Sequence, residues 1–343
     1  MRTYKTVIIG MGRMGQTRFQ AMKRHGGFDI QALCDNLPER LAGYECCTYT
    51  DWKECIAHER PEVVVVCTIN AVIPDVVCFA LASGCHVFSE KPPGRNLADA
   101  LRMKQSYMAT QGQVLKFGFN HRYHNSVIEA KSLIDSGFLG HVVAARGMYG
   151  KAANLQREEW RNHLELAGGG ILLDQGIHML DLLRYFVGDF SEVSGITDNL
   201  VWKNSEAEDT AFAMLRTLEG KVATLHSSAI QWKHKFDLDI VLTDGYIALN
   251  GLLTSTKSYG EERLTYYKKE LDPLDGKIGN PTEYTLCFDE DSSWDYEMNE
   301  FYDAIHGDGT IINGTVEDAV QVMSLVEQVY KKRANKKEGL QVG

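Results

Sequence analysis

The sequence lacks the features that mark membrane, nucleic-acid-binding and secreted proteins. No stretch approaches the roughly 20 apolar residues that a membrane-spanning helix needs. The 36 Lys and Arg against 46 Asp and Glu give a formal net charge of −10, which disfavours nucleic acid as a partner because phosphate contacts need a basic face. The amino-terminal residues enter a predicted strand with no apolar signal region before it. We therefore expect a cytoplasmic protein with neither a membrane nor a nucleic-acid partner.

The cysteines lack the spacing of a zinc site. None of the eight forms a CxxC pair, and seven lie in the first quarter of the chain. Several occupy apolar, strand-like runs, which favours reduced core cysteines over a disulfide framework or a metal site. The sequence therefore predicts no metal.

The chain has enough apolar residues for two domains, because 44% of its 343 residues are hydrophobic. Up to about Phe119, short apolar runs alternate with helical patterns, which predicts a doubly wound α/β domain. The four valines Val63–Val66 are typical of a parallel strand that is buried on both faces. We expect this domain, of the Rossmann type, to span residues 1–120.

The second half of the chain reads differently. A helix is predicted over Leu172–Val187, successive strands over Ser191–Lys269 and a long loop over Leu271–Ser293. Asp244-Gly245 stands between two alternating apolar runs and is a strong hairpin signal. Residues 121–343 are therefore predicted to form an α+β domain with a large, mostly antiparallel open sheet for substrate binding and oligomerisation. Such a sheet exposes a face that must be covered, so we expect a homodimer or homotetramer.

The first predicted strand ends in the sequence GMGRMG, residues 10–15, directly before a helix. In this GxGxxG pattern Gly10 permits a tight turn, Gly12 lets the backbone approach a pyrophosphate and Gly15 lets helix and strand pack closely. The loop, which includes Arg13 and Met14, then presents helix N–H groups to phosphates. The sequence predicts a dinucleotide site.

Asp35 ends the second predicted strand, 20 residues after Gly15. A carboxylate there accepts a hydrogen bond from the adenosine ribose and repels the 2′-phosphate of NADP. Asn36 follows where many NADP enzymes carry arginine, whereas Arg40 leaves NADP open as the less favoured cofactor. The alternative is that Asp35 only caps the next helix.

Glu90, Lys91 and Pro92 close the fifth predicted strand. The carboxyl ends of strands in such sheets face the ligand crevice, which favours a role for Lys91 over a solvated surface lysine.

Taken together, these motifs resemble the Gfo/Idh/MocA oxidoreductases, the glucose–fructose oxidoreductase and inositol dehydrogenase group. The resemblance covers nearly the whole chain. It rests on GMGRMG at 10–15, EKP at 90–92, GFNHRY at 118–123 and GGGILLDQGIHMLD at 168–181. One departure is Ile69, where the loop of the family usually has proline.

The resemblance implies site residues that the motifs alone do not assign. Lys91 would reach the nicotinamide and the reacting hydroxyl, and its bond to Pro92 would be cis. Asp174 and His178 would face Lys91. Further contacts are implied near the nicotinamide or the substrate for Glu90, Thr68, Asn70, Asn120 and Arg122.

The residue chemistry offers its own account of catalysis. Asp174 and His178 stand four residues apart, so on an α-helix they share a face. We expect His178 to take the hydroxyl proton, Lys91 to stabilise the developing alkoxide and Asp174 to orient His178 or bind a neighbouring hydroxyl. The alternative for His178, which lies in an apolar run, is a core histidine.

Substrate contacts are expected in the segment before the glycines. Polar and aromatic residues of this segment, which precedes Gly168–Gly170, could frame a sugar pocket together with Lys91, Asp174 and His178. They could instead belong to a solvated loop. These residues are Tyr149, Lys151, Arg157, Trp160, Arg161 and His163. A second polar and aromatic group is Trp232, Lys233 and His234.

The favoured function is NAD-dependent hydride transfer at a secondary hydroxyl of a sugar, aminosugar or nucleotide sugar. Three alternatives remain open: a free inositol or polyol dehydrogenase, a redox-assisted elimination at a glycosidic bond, and a non-catalytic NAD-binding regulator. Lys151, Arg157 and Arg161 would matter little to a neutral polyol, and net NADH release separates a dehydrogenase from an elimination enzyme.

Overall fold

The computed structural model describes residues 2–153, 159–271, 276 and 279–338. The side chains of residues 159 and 332–338 are not described. This part of the chain forms two compact units. The first unit comprises residues up to 120 together with 164–168 and 293–324, and the second comprises the described residues of 121–163, 169–292 and from 325 onward.

The sheet of the first unit has six parallel strands in the order β3-β2-β1-β4-β5-β6. The strands are β1 (Tyr4–Ile9), β2 (Phe28–Cys34), β3 (Cys47–Tyr49), β4 (Val63–Val66), β5 (His86–Glu90) and β6 (Leu115–Gly118). This is the doubly wound order of dinucleotide-binding domains, and it confirms the predicted Rossmann fold.

Both units contain helices in the described part of the chain. They are α1 (Arg13–His25), α2 (Trp52–Glu59), α3 (Ile73–Ala82), α4 (Leu97–Met108), α5 (Asn125–Asp135), α6 (Leu164–Ala167), α7 (Ile177–Val187), α8 (Ser293–His306) and α9 (Val316–Glu338). In the described part of the chain, no helix combines the length and apolar character that crossing a membrane requires.

The core of the first unit explains why a late segment groups with it. The valines Val63–Val66 are fully buried, as expected for a central parallel strand. Helix α8 adds Met298, Phe301 and Tyr302 to the same hydrophobic cluster. The prediction divides the chain once, between residues 120 and 121. The observed first unit also includes residues 164–168 and 293–324, and apolar residues of α8 belong to its core.

The second unit contains the predicted large sheet. Its eight strands are β7 (Val142–Ala152), β8 (Phe190–Asp198), β9 (Thr210–Thr217), β10 (Val222–Ser228), β11 (Ile230–Leu242), β12 (Gly245–Asn250), β13 (Glu262–Lys268) and β14 (Tyr284–Phe288). Their order is β14-β13-β12-β11-β7-β10-β9-β8, and only the β7–β10 pair is parallel.

Two secondary-structure predictions for this unit are wrong in part. The predicted helix Leu172–Val187 is not α-helical throughout, because Leu172–Gly176 forms a π turn before α7 begins. The predicted loop Leu271–Ser293 contains strand β14. That strand lies at the edge of the sheet and is almost wholly exposed, and its alternation of Tyr284, Leu286 and Phe288 is short and flanked by polar residues.

Candidate functional site

The glycine loop of the first unit leaves room where a ligand would approach. A Cβ atom on Gly10, whose φ is +94°, would lie 2.5 Å from the Cys67 carbonyl oxygen, and one on Gly15 would lie 1.9 Å from the Gly10 carbonyl oxygen. The nearest atom to a Cβ on Gly12 is Nη1 of Arg40 at 3.8 Å. The packing of the chain thus requires the first and third glycines, while a Cβ at the second would make only an ordinary contact with Arg40.

Helix α1 begins at the end of this loop. Its N-terminal residue Gly12 can supply no capping side chain, and the exposed Arg13 and half-buried Met14 follow in the first turn. Backbone N–H groups at a helix start, with the positive end of the helix dipole, suit the phosphates of a dinucleotide. The residues present therefore fit the cofactor that the sequence predicts.

Asp35 lies beside the glycine loop in a fixed orientation. Its buried carboxylate accepts the Met11 N–H at 2.7 Å and the Leu37 N–H at 3.0 Å. Arg40 places Nη1 3.4 Å from the Oδ2 atom that Met11 also contacts, and Asn36 is exposed. Asp35 therefore ties β2 to the loop, and these hydrogen bonds hold its carboxylate in one orientation.

At the end of β5, the residues of the EKP triplet lie in different environments. The Lys91–Pro92 peptide is cis, as the resemblance implies, and Lys91 is half-buried. Glu90 is buried and its Oε1 accepts the Nε–H of Arg18 at 2.6 Å. The carboxylate of Glu90, expected near the cofactor, thus supports the strand end from the core.

Arg18 is a residue that the sequence reasoning missed. It is fully buried, and it contacts both Glu90 and Glu297 at 2.6 Å. Its guanidinium lies over the ring of Phe88 at 4.3 Å and that of Trp294 at 4.7 Å. The sequence could have indicated this residue, because Arg18 stands at a position of α1 that the helical periodicity buries, between Gly15 and Met22.

Three other predicted cofactor residues have partners in the first unit. The buried Asn70 amide donates to the Ala167 carbonyl at 2.7 Å, and the buried Asn120 amide donates to Ser293 Oγ at 3.3 Å. The hydroxyl of the half-buried Thr68 donates to the Ile69 carbonyl at 3.3 Å. These contacts fix the two amides.

In the second unit, Asp174 lies between two cations. The Lys151 ammonium donates to Oδ2 at 2.7 Å, and Nε of Arg161 lies 3.5 Å from Oδ1. The side chain of Asp174 is 25% exposed, so solvent or a substrate can reach it. A carboxylate beside two cations is a strong hydrogen-bond acceptor for hydroxyl groups. Arg157, named with these residues, lies outside the described residues.

His178 lies in α7, is buried and stacks on another imidazole. The rings of His178 and His121 are 3.7 Å apart and nearly parallel, at 18°. His121 Nε2 in turn makes a 3.0 Å hydrogen bond with the Tyr149 hydroxyl, and burial raises the pKa of Tyr149 well above its usual value. The stack fixes the plane of the His178 ring. His121 is a second residue that sequence reasoning missed.

The π turn changes the expected relation between Asp174 and His178. A π turn contains more residues than an α turn, so the four-residue spacing does not give α-helical geometry here. The observed contacts of Asp174 are with Lys151 and Arg161, whereas His178 packs on His121. π turns are frequent at functional sites.

Arg122 has a buried partner. Its guanidinium donates to both oxygens of Asp181, at 2.5 and 2.8 Å, and stacks over Tyr185 at 4.8 Å. Both members of the ion pair are at most 4% exposed. The contacts observed for Arg122 therefore connect the start of the unit to α7.

A further polar and aromatic group surrounds Lys151. The Gln175 amide donates to the Tyr259 hydroxyl at 2.5 Å, and the Tyr259 ring lies 4.9 Å from that of His234. Burial, and then the charge of Lys151, lower the pKa of His234. Trp232, named with His234 from sequence, is 83% exposed. Tyr259 had no sequence signal, since it follows no motif.

Among the described residues, no group of three or more His, Cys, Asp or Glu side chains is placed to hold a metal ion. The second unit brings together acids, bases and hydroxyl groups. It supplies an acceptor, two cations and a stacked imidazole, which suit recognition of a hydroxylated molecule and transfer of a proton.

Two family models match the chain. Residues 4–119 match the NAD-binding Rossmann fold of an oxidoreductase family, and residues 127–248 match the GFO/IDH/MocA C-terminal domain. Both models come from the family that the motifs resemble.

The chain is similar to several curated dehydrogenases. It is 28% identical over 233 residues to the myo-inositol 2-dehydrogenase of Thermotoga maritima, which covers 64% of this chain and 67% of that protein. It is 28% identical to the D-glucoside 3-dehydrogenase of Escherichia coli over 54% of each chain. The matched region thus spans between about half and two thirds of these two relatives.

Solved structures share the fold over nearly the full length. A levoglucosan dehydrogenase in complex with NADH and levoglucosan is 21% identical, with 97% of this chain and 98% of that chain covered and a TM-score of 0.85. The WlbA dehydrogenase from Bordetella pertussis, in complex with NADH and UDP-GlcNAcA, is 20% identical, with 98% and 97% covered and a TM-score of 0.82. At this identity the likeness supports the two-part fold.

Proposed function

The chain belongs to the GFO/IDH/MocA oxidoreductase family, and from this premise we propose that it is an NAD-dependent dehydrogenase of sugars. It transfers hydride between nicotinamide and a secondary hydroxyl of a sugar, aminosugar or nucleotide sugar. The observation that carries the proposal is the polar group of the second unit, where Asp174 lies between two cations and His178 stacks on His121. Relatives that act on inositol and glucosides support the same substrate class.

The residues that hold the cofactor lie in the first unit. The backbone at Gly12 and the start of α1 receive the diphosphate, and Asp35 accepts a ribose hydroxyl. The carboxylate at Asp35 favours NAD over NADP, because it repels a 2′-phosphate. When bound, the nicotinamide supplies the hydride acceptor.

The residues of the chain manage the proton and the orientation of the substrate. His178 takes the proton from the reacting hydroxyl, and the stack on His121 keeps its ring in one plane. Lys91, for which the family motif implies a catalytic role, donates a hydrogen bond to a substrate oxygen and stabilises negative charge on it. Asp174 accepts a hydrogen bond from a neighbouring hydroxyl, while Lys151 and Arg161 hold its carboxylate in place.

A substrate panel tests this function. NADH formation is measured with NAD against inositols, free sugars, sugar phosphates and nucleotide sugars, with His178→Ala as the control. Turnover by the wild type and its loss in the variant support the proposal. Silence across the panel, with NAD shown to bind, would favour the regulator, and product release without net NADH would favour redox-assisted elimination.

We also propose that the protein forms a homo-oligomer through the open face of the sheet. Ile196, Phe212 and Met214 are 57, 48 and 62% exposed there, around a cavity of about 740 Å³. The same face carries the oppositely charged Arg146 and Asp239. A surface that contains both apolar residues and charges of each sign can complement a second copy across a two-fold axis. Phe212→Asp should shift the mass measured by light scattering from dimer or tetramer to a smaller species.

The proposed compartment is the cytoplasm. All eight cysteines are free thiols, and three of them, Cys34, Cys55 and Cys85, are buried. Free buried thiols are typical of a reducing compartment. The sugar substrate is accordingly one that is available inside the cell.

A further inference from the structure

Glu208 is a buried carboxylate to which the proposed chemistry assigns no role. It lies between β8 and β9 and is 1% exposed. Carboxylates are rarely buried unless they have partners that repay the loss of hydration. The identity of those partners therefore indicates its purpose.

Glu208 binds the start of the segment that carries Asp174 and His178. Its carboxylate accepts the Gly170 N–H on Oε2 at 2.8 Å and the Leu172 N–H on Oε1 at 3.0 Å. The backbone carbonyl oxygen of Glu208 accepts the N–H of Ile171, between them, at 3.0 Å. Tyr330 of α9 donates its hydroxyl to Oε1 at 2.8 Å. A single side chain thus joins the glycine segment to a distant helix.

The close approach depends on glycine. A Cβ atom on Gly170 would lie 2.1 Å from the Glu208 carbonyl oxygen, so only glycine permits this backbone contact. Burial raises the pKa of Glu208 above its ordinary value, and the hydrogen bonds from Tyr330, Leu172 and Gly170 oppose this shift only in part. The N–H groups of Gly170 and Leu172 stand where a helix starts, a place where N–H groups lack partners within the helix and where a carboxylate is favourable.

The anchored residues lead directly into the functional segment. The π turn Leu172–Gly176 begins at an anchored residue and contains Asp174, and α7 continues from it with His178 as its second residue. A short rigid segment moves as a unit, so a displacement at Leu172 is carried to both side chains. Misplacement by about 1 Å can cost about 100-fold in rate.

We propose that Glu208 is the positioning residue for Asp174 and His178, acting through the hydrogen bonds of its carboxylate to the N–H groups of Gly170 and Leu172. The proposal rests on the proposed function for its kinetic consequence. It extends that function by assigning the geometry of the acid and base residues to a buried carboxylate outside the family motifs considered above.

The adjacent carboxylate offers a matched control. Asp209 also accepts three consecutive backbone N–H groups, from Leu200, Val201 and Trp202 at 2.9, 2.7 and 2.8 Å, but these belong to the loop after β8. Glu208→Gln keeps one acceptor oxygen and sets an amide donor against an N–H group. Asp209→Asn makes the same chemical change against the other loop.

The first readout needs no substrate. The ring signals of His178 are followed by NMR in protein labelled at the histidine ring carbons, with assignment from His178→Ala. We expect Glu208→Gln to shift the His178 signals, and Asp209→Asn to leave them in place. Unmoved His178 signals in a folded Glu208→Gln protein would overturn the proposal, whether or not the enzyme turns over any sugar in the panel.

The second readout is turnover of the substrate that the panel identifies. We expect kcat to fall roughly tenfold to 100-fold in Glu208→Gln, with the affinity for NADH, measured by its fluorescence, unchanged. Asp209→Asn should lower the melting temperature without lowering kcat. Equal losses of kcat in both variants would show a merely structural role and refute the proposal.

A milder variant covers the case in which Glu208→Gln fails to fold. Tyr330→Phe removes one donor to Oε1 and keeps the ring. It should shift the His178 signals in the same direction by a smaller amount and lower kcat modestly. If Tyr330→Phe is folded and leaves both quantities unchanged, Glu208 does not position the segment.

Discussion

Replacing Arg18 by methionine tests the buried charge cluster beneath the end of β5. The guanidinium of Arg18 contacts Glu90 and Glu297 at 2.6 Å, and all three side chains are at most 6% exposed. Methionine keeps much of the stem but leaves two buried carboxylates without their cation. Breaking a buried ion pair costs about 3–5 kcal/mol, and the lost contacts with the Phe88 and Trp294 rings add to this.

A second ion pair between the same two helices provides the control. Arg24 of α1 contacts Asp295 of α8 at 2.7 Å, but the two side chains are 56 and 40% exposed. An exposed pair contributes about 0–1 kcal/mol. Arg24→Met thus makes the same substitution in the same helix and removes one cation, with only the burial changed.

Urea unfolding, monitored by circular dichroism, measures both free energies. At pH 7 we expect Arg18→Met to lose about 3–5 kcal/mol and Arg24→Met to lose less than about 1 kcal/mol. The Arg18→Met deficit should shrink as the pH falls toward 5, because burial raises the pKa of Glu297 and protonation removes its charge. Equal losses in the two variants, or a deficit that grows at low pH, would refute this reasoning.

Three further predictions follow from the sites. Asp35→Asn should lower the ratio of kcat/KM for NAD over NADP by about tenfold or more, since one carboxylate no longer repels the 2′-phosphate; an unchanged ratio would remove Asp35 from cofactor choice. Lys151→Ala and Arg161→Ala should raise KM for sugar phosphates and nucleotide sugars more than for neutral inositols, because both cations flank Asp174. Equal changes in KM for both substrate classes would show that neither cation interacts with the phosphate charge of the substrate. Glu262 is buried, which raises its pKa, but the hydrogen bond and charge of His124 and the N–H groups of Ser126 and Leu253 lower it to about 2. Compared with the ordinary value of 4.5, this corresponds to about 3 kcal/mol of stability that is present above pH 4.5 and lost as the pH falls toward 2. Acid unfolding of Glu262→Gln should lack this loss, and a wild-type pH profile in the variant would contradict the assignment.

The sequence predicted the parts of the fold that depend on local patterns. Val63–Val66 and the GxGxxG loop follow from burial on two faces and from the room that glycine leaves, both of which are visible in the residue types. The hairpin predicted at Asp244-Gly245 also forms between β11 and β12, but its turn residues are Thr243 and Asp244, and Gly245 begins β12. The edge strand β14 was missed because its alternating pattern covers only five residues and stands within a long polar segment.

The site was predicted less completely than the fold. Asp174 and His178 stand in a recognisable motif, but the π turn that separates them from α-helical geometry depends on contacts far along the chain. Glu208 lies 36 residues from Leu172, and Tyr330 lies 122 residues from Glu208. Likewise the partner of Arg122, Asp181, is 59 residues away. Such contacts depend on tertiary packing, which periodicity and spacing do not encode.

The most direct test of the proposed function measures whether the hydrogen on the reacting carbon of the sugar is transferred to the cofactor. A sugar from the panel that supports turnover is deuterated at the carbon that bears the reacting hydroxyl, and the reduced cofactor is examined by mass spectrometry. The account predicts that deuterium appears in stoichiometric amount in NADH, and that His178→Ala loses the transfer. Deuterium that passes to solvent or returns to the product, with no net NADH, would contradict a dehydrogenase.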